Sequence, residues 1–591
     1  MTSTGHNSFG PHIPVAVWAD KEKYRQEGEE YTQKVARVAG ALTDNEDHFN
    51  KFSDILKYQR FLPGGRVQAA AGSYRSITAF NCFVMQDVPD SMTGIMDVAK
   101  EAAVTMQLGG GVGYDFSGIR PSGARIRSIG SQASGPVSFM GIMDALCKTI
   151  ASAGHRRGAQ MGCLRVDHPD IMKFISAKAN HNELTQFNIS VLVTDKFMEA
   201  VKADTEFDLV FEDRVYDSVR ARHLWDTILR NTWDWAEPGV IFIDRVNKMN
   251  NLWYLEDIKA TNPCGEQPLP AYGACLLGSF NMVQYVSVTY KTEDQSVWSY
   301  EFNWGQLEHD IPYVVRAMDN VVDETTYPLP EQEAEAKAKR RMGLGITGLA
   351  NALGALGIVY GTEEAKDFTR KLMKFIANRC YMSSVGLAIE KGPFPAFDRD
   401  KYCSGEFIKK LDLDVQEAIH GHGIRNSHLI SIAPTGTISL TANNVSSGLE
   451  PVFSYSYDRT IQTREGPTVE KVEDYAYREW GIKCPTADSI SAMDHVGMLV
   501  AAQEYVDSAV SKTCNVGANV GWDEFKEVYM AAYDGGAKGC TTFRASGKRF
   551  GILNASASED VVDEPDTPSD ETFIEGGACY IDVETGIRSC E

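Results

Sequence analysis

What this sequence lacks narrows it quickly. In 591 residues no apolar run approaches the ~18 that a helix needs to span a bilayer. The first residues, MTSTGHNSFGPHIPVAVWAD, carry neither a basic n-region nor an apolar h-region. No signal peptide is expected, and the protein reads as cytoplasmic. Positive charge is scarce: 58 Lys and Arg stand against 80 Asp and Glu, for a net charge of -22. That balance speaks against a nucleic-acid or membrane-surface binder, either of which needs a broad basic face. There are 12 cysteines but no Cys-x-x-Cys, and no four ligands show zinc spacing, so no metal site is read. In a reducing compartment most are expected to be buried free thiols, and any functional ones redox-active. Cys147, Cys163, Cys380, Cys403, Cys484 and Cys514 stand in mixed or apolar surroundings and read as small core residues.

The rest is the composition of a globular protein, 43% hydrophobic and 23% charged. Residues 20–42 read as one charged amphipathic helix with Tyr31, Val35, Val38 and Leu42 on one face. From residue 61 to 545 no linker-like stretch interrupts the chain. Strand-like runs at Asn188–Val193, Val240–Ile243 and Leu429–Ala433 alternate with longer helical patterns, which predicts an α/β fold with buried strands. Residues 546–572 form an acidic Ser- and Pro-rich linker. Beyond it, 573–591 is a short tail with Cys579 and Cys590. Two thiols on a tether can visit a distant site at high effective concentration, although a tail with incidental cysteines reads the same way.

One stretch carries chemistry. Asn262-Pro263-Cys264-Gly265-Glu266 puts a thiol between an amide and a carboxylate, and Cys275 follows eleven residues after Cys264. In an extended loop, positions 262, 264 and 266 would face the same way, because side chains alternate with period two. A donor, a sulfur and a base in one place suit chemistry on a vicinal diol.

Two other segments could hold phosphate. Leu429–Ala433 runs into Pro434-Thr435-Gly436-Thr437-Ile438-Ser439, a strand, a Gly-containing turn with hydroxyls, then a helix start. Backbone N–H groups and the helix dipole favour an anion there, although a plain turn fits the residues equally. Gly109–Gly113 reads as a close-approach loop, followed by Arg120, Arg125, Arg127 and His155-Arg156-Arg157-Gly158. Arg presents a planar fork to phosphate, and surface Arg beside turns is the alternative. Gly343-Leu-Gly345-Ile-Thr-Gly348 matches a dinucleotide fingerprint, but that motif must follow a buried strand. Here the charged helical run Glu335–Arg341 precedes it, so the fingerprint is set aside.

At these residues the chain resembles a ribonucleotide reductase catalytic subunit, most closely the dimeric adenosylcobalamin-dependent class II type. The resemblance runs through FLP (61–63), NCFV (81–84), Gly109–Gly113, ASGPVSFM (133–140), Arg156–Gly158 and DHPD (167–170). It continues through NPCGEQPLP (262–270), GACLLGS (273–279), RRMGLGITGLANAL (340–353), IAPTGTIS (432–439) and GCTTFR (539–544). It implies a ten-stranded α/β barrel of two five-stranded halves over 61–545, after a helical segment 1–60, with Cys264 on a central finger loop.

The resemblance also implies roles. Cys264 matches the thiyl-radical position, Asn262 the ligand of the ribose hydroxyls, and Glu266 the base for the 3'-hydroxyl. Cys82 and Cys275 match the pair that delivers two electrons and becomes a disulfide. Asn81 and Pro434–Ile438 (Pro434, Thr435, Gly436, Thr437 and Ile438) fall at the substrate site. Asp90, Ser91, Met92 and Arg120 fall at the site of deoxynucleotide or ATP specificity effectors, and residues 153–161 in the loop linking effector to substrate. Cys579 and Cys590 would re-reduce the disulfide and exchange with thioredoxin or glutaredoxin. The implied enzyme is a homodimer acting on ribonucleotides, diphosphates being the expected form.

Some residues depart from the wider pattern. After Phe61–Pro63 comes Gly-Gly-Arg-Val-Gln-Ala-Ala-Ala-Gly where many relatives carry an Asn-Ser-Pro-Thr-like run, so no substrate contact is transferred there. The tail thiols are further apart than the usual close pair. No ATP-cone segment is read before the match, so overall activity switching is not expected. The rival reading is a class I large subunit, which usually has Leu at the position of Pro263 and a Tyr-Tyr relay; no Tyr-Tyr occurs here. A catalytically silent nucleotide-binding regulator on the same scaffold is the other.

Overall fold

The computed structural model describes residues 9–544 except 129, 151–158, 180–182, 291–297, 464–465 and 518–519, together with 579–581 and 588–590. The expected acidic linker and residues 153–158 of the expected effector loop lie outside the described residues. The fold is mixed α/β, as its alternating pattern predicts.

Its main sheet has eight strands. Their order is Ala274–Cys275, Cys82–Val84, Gly111–Asp115, Gln160–Arg165, Phe187–Val193, Gly239–Phe242, Gly539–Phe543 and Thr513–Asn515. The five from Cys82–Val84 to Gly239–Phe242 are mutually parallel, and Gly539–Phe543 joins Gly239–Phe242 antiparallel. Helices cover such a sheet on its faces, so its strands can be apolar on both sides. Phe187–Val193 is buried along almost its whole length. Tyr114, Phe116 and Phe187 pack as tilted or edge-on rings with centroids 5.4 to 6.1 Å apart.

A second sheet holds Phe61–Pro63, Leu277–Asn281 and Gly343–Thr347. The chain passes directly from one sheet to the other through Leu276. The expected strand Leu429–Ala433 is present only as isolated parallel bridges, Leu344 to Ile430 and Ile432 to Val510. Side chains claim its other N–H groups: those of Leu429 and Ile430 donate to the Asp507 carboxylate, which interrupts a regular ladder.

Two of the dinucleotide-like glycines, Gly343 and Gly345, lie in the strand Gly343–Thr347, and the third, Gly348 at φ +74°, follows it at the start of a helix. A β-carbon on Gly343 would stand 2.2 Å from Gln267 Nε2, and one on Gly345 2.2 Å from the Ser431 carbonyl oxygen. These glycines let backbones approach where a fingerprint would cradle pyrophosphate.

The single helix expected over 20–42 is two, Pro14–Tyr24 and Tyr31–Leu42. Gly28 at φ +75° turns the chain, and Glu30 and Gln33 form a capping box that starts the second helix afresh. Val35, Val38 and Leu42 face the core as expected, joined by Lys34, whose ammonium reaches the buried Asp20 carboxylate. The longest helix, Glu363–Lys391, buries Leu372, Met373, Ile376, Ala377 and Cys380 along one stripe. Thr362 caps its start and Gly392, at φ +84°, ends it. Among the described residues no helix is long and apolar enough to cross a membrane.

Gly345→Ala is expected to lose about 3 kcal/mol or more of stability, because the added methyl meets backbone that cannot rotate away. Chemical denaturation checks it; an unchanged midpoint would show that the strands can separate at no cost.

Candidate active site

The residues around Cys264 form a short hairpin. Ala260–Thr261 pairs antiparallel with Pro268–Leu269, and residues 262–267 make its tip. The Asn262 N–H donates to the Gln267 carbonyl at 3.2 Å, and the Gly265 N–H to the Asn262 carbonyl at 3.1 Å. The tip is therefore a tight turn, with Gly265 at φ +83°. The extended, period-two geometry expected for 262–266 does not hold. A four-residue turn closed by that hydrogen bond cannot alternate side chains, and only glycine takes such a φ without strain. The three residues are buried even so: Asn262 is 0%, Cys264 6% and Glu266 1% exposed.

A polar turn inside a protein needs its backbone groups satisfied. Asn188 Nδ2 donates to the Pro263 carbonyl at 3.0 Å, and the Ala509 N–H to the Glu266 carbonyl at 2.9 Å. Sequence reading missed both residues. Asn188 left a signal, an amide opening an otherwise apolar strand; Ala509 acts through its backbone and left none. Asn262 Oδ1 accepts from the Gln267 N–H at 3.0 Å and from Thr261 Oγ1 at 3.2 Å. Its carbonyl end is thereby used, and Nδ2 has no protein partner. The amide is oriented as a donor toward the interior.

Glycines of the main sheet make room for the hairpin. A β-carbon on Gly113 would stand 2.1 Å from the Thr261 carbonyl oxygen. One on Gly111 would meet Cys82 Sγ at 3.0 Å and Pro263 Cγ at 3.3 Å. So the tip of the turn and the Cys82 thiol both border the space above Gly111. The expected close-approach role of Gly109–Gly113 is met by the hairpin, with Gly111 and Gly113 inside a strand rather than a loop.

Cys82 and Cys275 face each other as Cα partners in the antiparallel pair Cys82–Val84 with Ala274–Cys275. Directly opposed residues of such a pair have Cα atoms about 4.5–5.5 Å apart, within the span of a disulfide. Both are buried in a small apolar cluster with Val84, Met161, Cys163 and Leu192. Cys163 is no competitor: burial pushes its thiol well above the ordinary range, which suppresses the reactive thiolate. Asn81 Oδ1, beside Gly64, is buried and has no protein partner. Of the six cysteines read as core residues, five are buried and Cys403 is half-buried.

The Pro434–Ile438 loop runs into the short helix Gly436–Thr441, as its sequence predicts. Thr435 is held at φ +56°, a conformation that costs a β-branched residue energy. Its hydroxyl accepts from the Gly448 N–H at 2.7 Å and meets Thr347 Oγ1 at 3.0 Å. Those bonds fix the loop from below. The strand Arg588–Cys590 lies alongside this helix, and its register puts Cys590 opposite Cys579 in a two-stranded ribbon.

Asp90, Ser91, Met92 and Arg120 also come together. Arg120 Nε donates to Asp90 Oδ2 at 2.6 Å and its N–H to Asp90 Oδ1 at 3.1 Å. Ser91 caps the helix Met92–Gln107, accepting from the Gly94 N–H at 3.2 Å.

The family profile described as "Ribonucleotide reductase, barrel domain" matches residues 80–543, most of the chain and every residue of the hairpin and thiol pair. The chain belongs to the ribonucleotide reductase family. The reductase is 34% identical over 548 residues to a protein of Mycobacterium tuberculosis (strain CDC 1551 / Oshkosh) named "Vitamin B12-dependent ribonucleoside-diphosphate reductase", spanning 88% of this chain and 75% of that one. A protein of the same name from Thermoplasma acidophilum is 34% identical over 542 residues, 87% of this chain and 67% of its own. A "Ribonucleoside-diphosphate reductase large subunit" of Vaccinia virus is 26% identical over 427 residues, 65% of this chain and 54% of its own.

The opposed register of the reductase's thiols makes a checkable claim. Mild oxidation of the intact protein with diamide is expected to join Cys82 to Cys275 in preference to other cysteines, as read by differential alkylation and peptide mass spectrometry. Cys82→Ser should leave Cys275 alkylatable. A disulfide between Cys82 and any other thiol would contradict the pairing.

Proposed function

We propose that this reductase is an adenosylcobalamin-dependent, class II enzyme that converts ribonucleoside 5'-diphosphates to 2'-deoxyribonucleotides through a thiyl radical at Cys264. The observation that carries this reading is the buried turn bearing Asn262, Cys264 and Glu266, with the Cys82 thiol against its tip and Cys275 opposite Cys82. The B12-dependent relatives support the cofactor: they match at higher identity, and over more of this chain, than the viral large subunit does.

The turn is open at Gly265, next to Cys264, where a β-carbon would meet nothing within 4 Å. What adenosylcobalamin supplies when bound is the one-electron chemistry that makes Cys264 a radical; the protein supplies position and a dry site. Cys264 then takes the 3'-hydrogen of the sugar and returns it later. Asn262 Nδ2 donates to a ribose hydroxyl, its other end being held by Gln267. Glu266 accepts the 3'-hydroxyl proton, which weakens the 2' C–O bond, and Cys82 protonates the departing hydroxyl as water. Cys82 and Cys275 give up two electrons and become a disulfide. The balance closes as ribonucleotide plus two thiols to deoxyribonucleotide, water and disulfide.

The same reading extends outward. The backbone amides of Gly436–Ile438 hold the substrate phosphates, and Asn81 lines the site. The tail pair Cys579 and Cys590 re-reduces the disulfide and exchanges with thioredoxin or glutaredoxin, a role supported by their opposed register and the strand beside Gly436–Thr441. Asp90, Ser91, Met92 and Arg120 take deoxynucleotide or ATP effectors. The adjoining helices Met92–Gln107 and Pro136–Thr149 expose Met92, Met96 and Ile142, an apolar face suited to a second copy of the chain. The strands fit a ten-stranded barrel. One half is the five parallel strands from Cys82–Val84 to Gly239–Phe242. The other is Leu277–Asn281, Gly343–Thr347, the bridged segments 430–432 and 510–515, and Gly539–Phe543.

CDP reduction with dithiothreitol is expected only when adenosylcobalamin is added, and Cys264→Ser is expected to abolish it. Turnover without the cofactor, or only with a separate metal-containing subunit, would discard the class II assignment. Replacing Cys579 and Cys590 together by Ser should remove thioredoxin-driven turnover and spare turnover driven by dithiothreitol. Equal loss with both reductants would count against the tail pair.

A further inference from the structure

Lys538 is a buried cation that none of the chemistry above uses. It sits just before the strand Gly539–Phe543 and is 4% exposed. Its own carbonyl accepts from the Phe242 N–H at 2.9 Å, which anchors it to the main sheet. Its ammonium donates to two backbone carbonyls, those of Asp507 and Ser508.

The segment so gripped, 507–511, joins two parts of the site. The Asp507 carboxylate accepts from the Leu429 N–H at 2.7 Å, the Ile430 N–H at 3.1 Å and Tyr381 Oη at 2.7 Å. The Ser508 N–H donates to the Ile430 carbonyl at 3.1 Å, and the Ser511 N–H to the Ile432 carbonyl at 2.8 Å. The Ile432 N–H returns to the Ala509 carbonyl at 3.2 Å. On its other side, the Ala509 N–H donates to the Glu266 carbonyl at 2.9 Å. Residues 429–433 lead straight into Pro434–Ile438. One short segment therefore sets the spacing between Glu266 and the loop read as the phosphate anchor.

We propose that Lys538 is a positioning residue for ribonucleotide reduction, gripping 507–511 so that Glu266 and the Pro434–Ile438 loop keep a fixed separation. The inference rests on the reading of Glu266 as the base. An apolar residue at 538 would leave the carbonyls of 507 and 508 without this donor in the interior, where an unmet carbonyl is costly. Keeping a cation there is itself costly. Burial pushes the Lys538 ammonium down to about 7, with Lys410 adding to the effect and Asp507 opposing it. Burial likewise pushes the Asp507 carboxyl up, against the hydrogen bonds it accepts.

The test uses the full chain with CDP, adenosylcobalamin and dithiothreitol, comparing wild type with Lys538→Met, Lys538→Gln, Lys538→Arg and Glu266→Gln. A misplaced base lowers the rate of the chemical step more than it weakens binding. Lys538→Met is therefore expected to cut kcat by roughly 10–100-fold while moving KM by less than about 3-fold. Lys538→Gln, which keeps amide donors, should fold and lose about 3–10-fold in kcat, and Lys538→Arg should recover more than either. Three results would overturn the proposal. One is wild-type kcat in the Met or Gln variant; another is activity loss that only follows the folded fraction seen by circular dichroism. The third is a Glu266→Gln enzyme with full kcat, which removes the base reading, whereas an inactive Glu266→Gln beside an unimpaired Lys538→Met removes the positioning role alone.

Discussion

The whole site depends on one close approach, the Thr261 carbonyl lying over Gly113 where even a methyl group would stand 2.1 Å away. A polar hairpin threaded through a protein interior has to run beside a strand without a side chain between them. Gly111 and Gly113 provide that on one side, and Gly343 and Gly345 do the same where Gln267 and Ser431 meet the second sheet. Gly111 also brings Pro263 to the Cys82 thiol. The glycines thus set how closely the turn can approach Cys82.

Seating the hairpin creates a second demand, because each carbonyl withdrawn from water needs a donor. The answers come from separate stretches of chain: Asn188 for Pro263, Ala509 for Glu266, and Gln267 within the turn for Asn262. This division orients the chemistry. With its carbonyl end satisfied, the Asn262 amide presents N–H groups. Under the proposed mechanism such rigidity matters, since a thiyl carrier that wandered would meet hydrogens other than the intended one. The burial that excludes water also keeps Cys163 protonated and inert in the apolar cluster that holds Cys82 and Cys275.

Much of this was legible in the sequence, and the failures have physical causes. The Asn-x-Cys-x-Glu set and Cys275 marked the candidate site because an amide, thiols and a carboxylate so spaced stand out in sequence. Period two within 262–266 was the wrong geometry for a turn that Gly265 closes at φ +83°. Gly343-x-Gly345 was rightly refused as a dinucleotide fingerprint, but its reason, the close packing of strands, depends on Ser431 and Gln267, which lie far from it in sequence. The strand expected at 429–433 was undone by Asp507, a carboxylate that takes two of its N–H groups. Contacts made by backbone alone, such as Ala509 to Glu266, leave no mark on residue choice and could not have been read. The split of the first helix was readable: Gly28 and the Glu30–Gln33 box lay in plain view.

The tail shows how register can outweigh spacing. Cys579 and Cys590 are too far apart in sequence to resemble a close redox pair, yet as opposed residues of an antiparallel ribbon they become neighbours. Opposed positions in such a ribbon bring Cα atoms to disulfide range whatever the length of chain between them. The ribbon's second strand lies beside the helix Gly436–Thr441, so the tether delivers the pair near the loop that begins that helix.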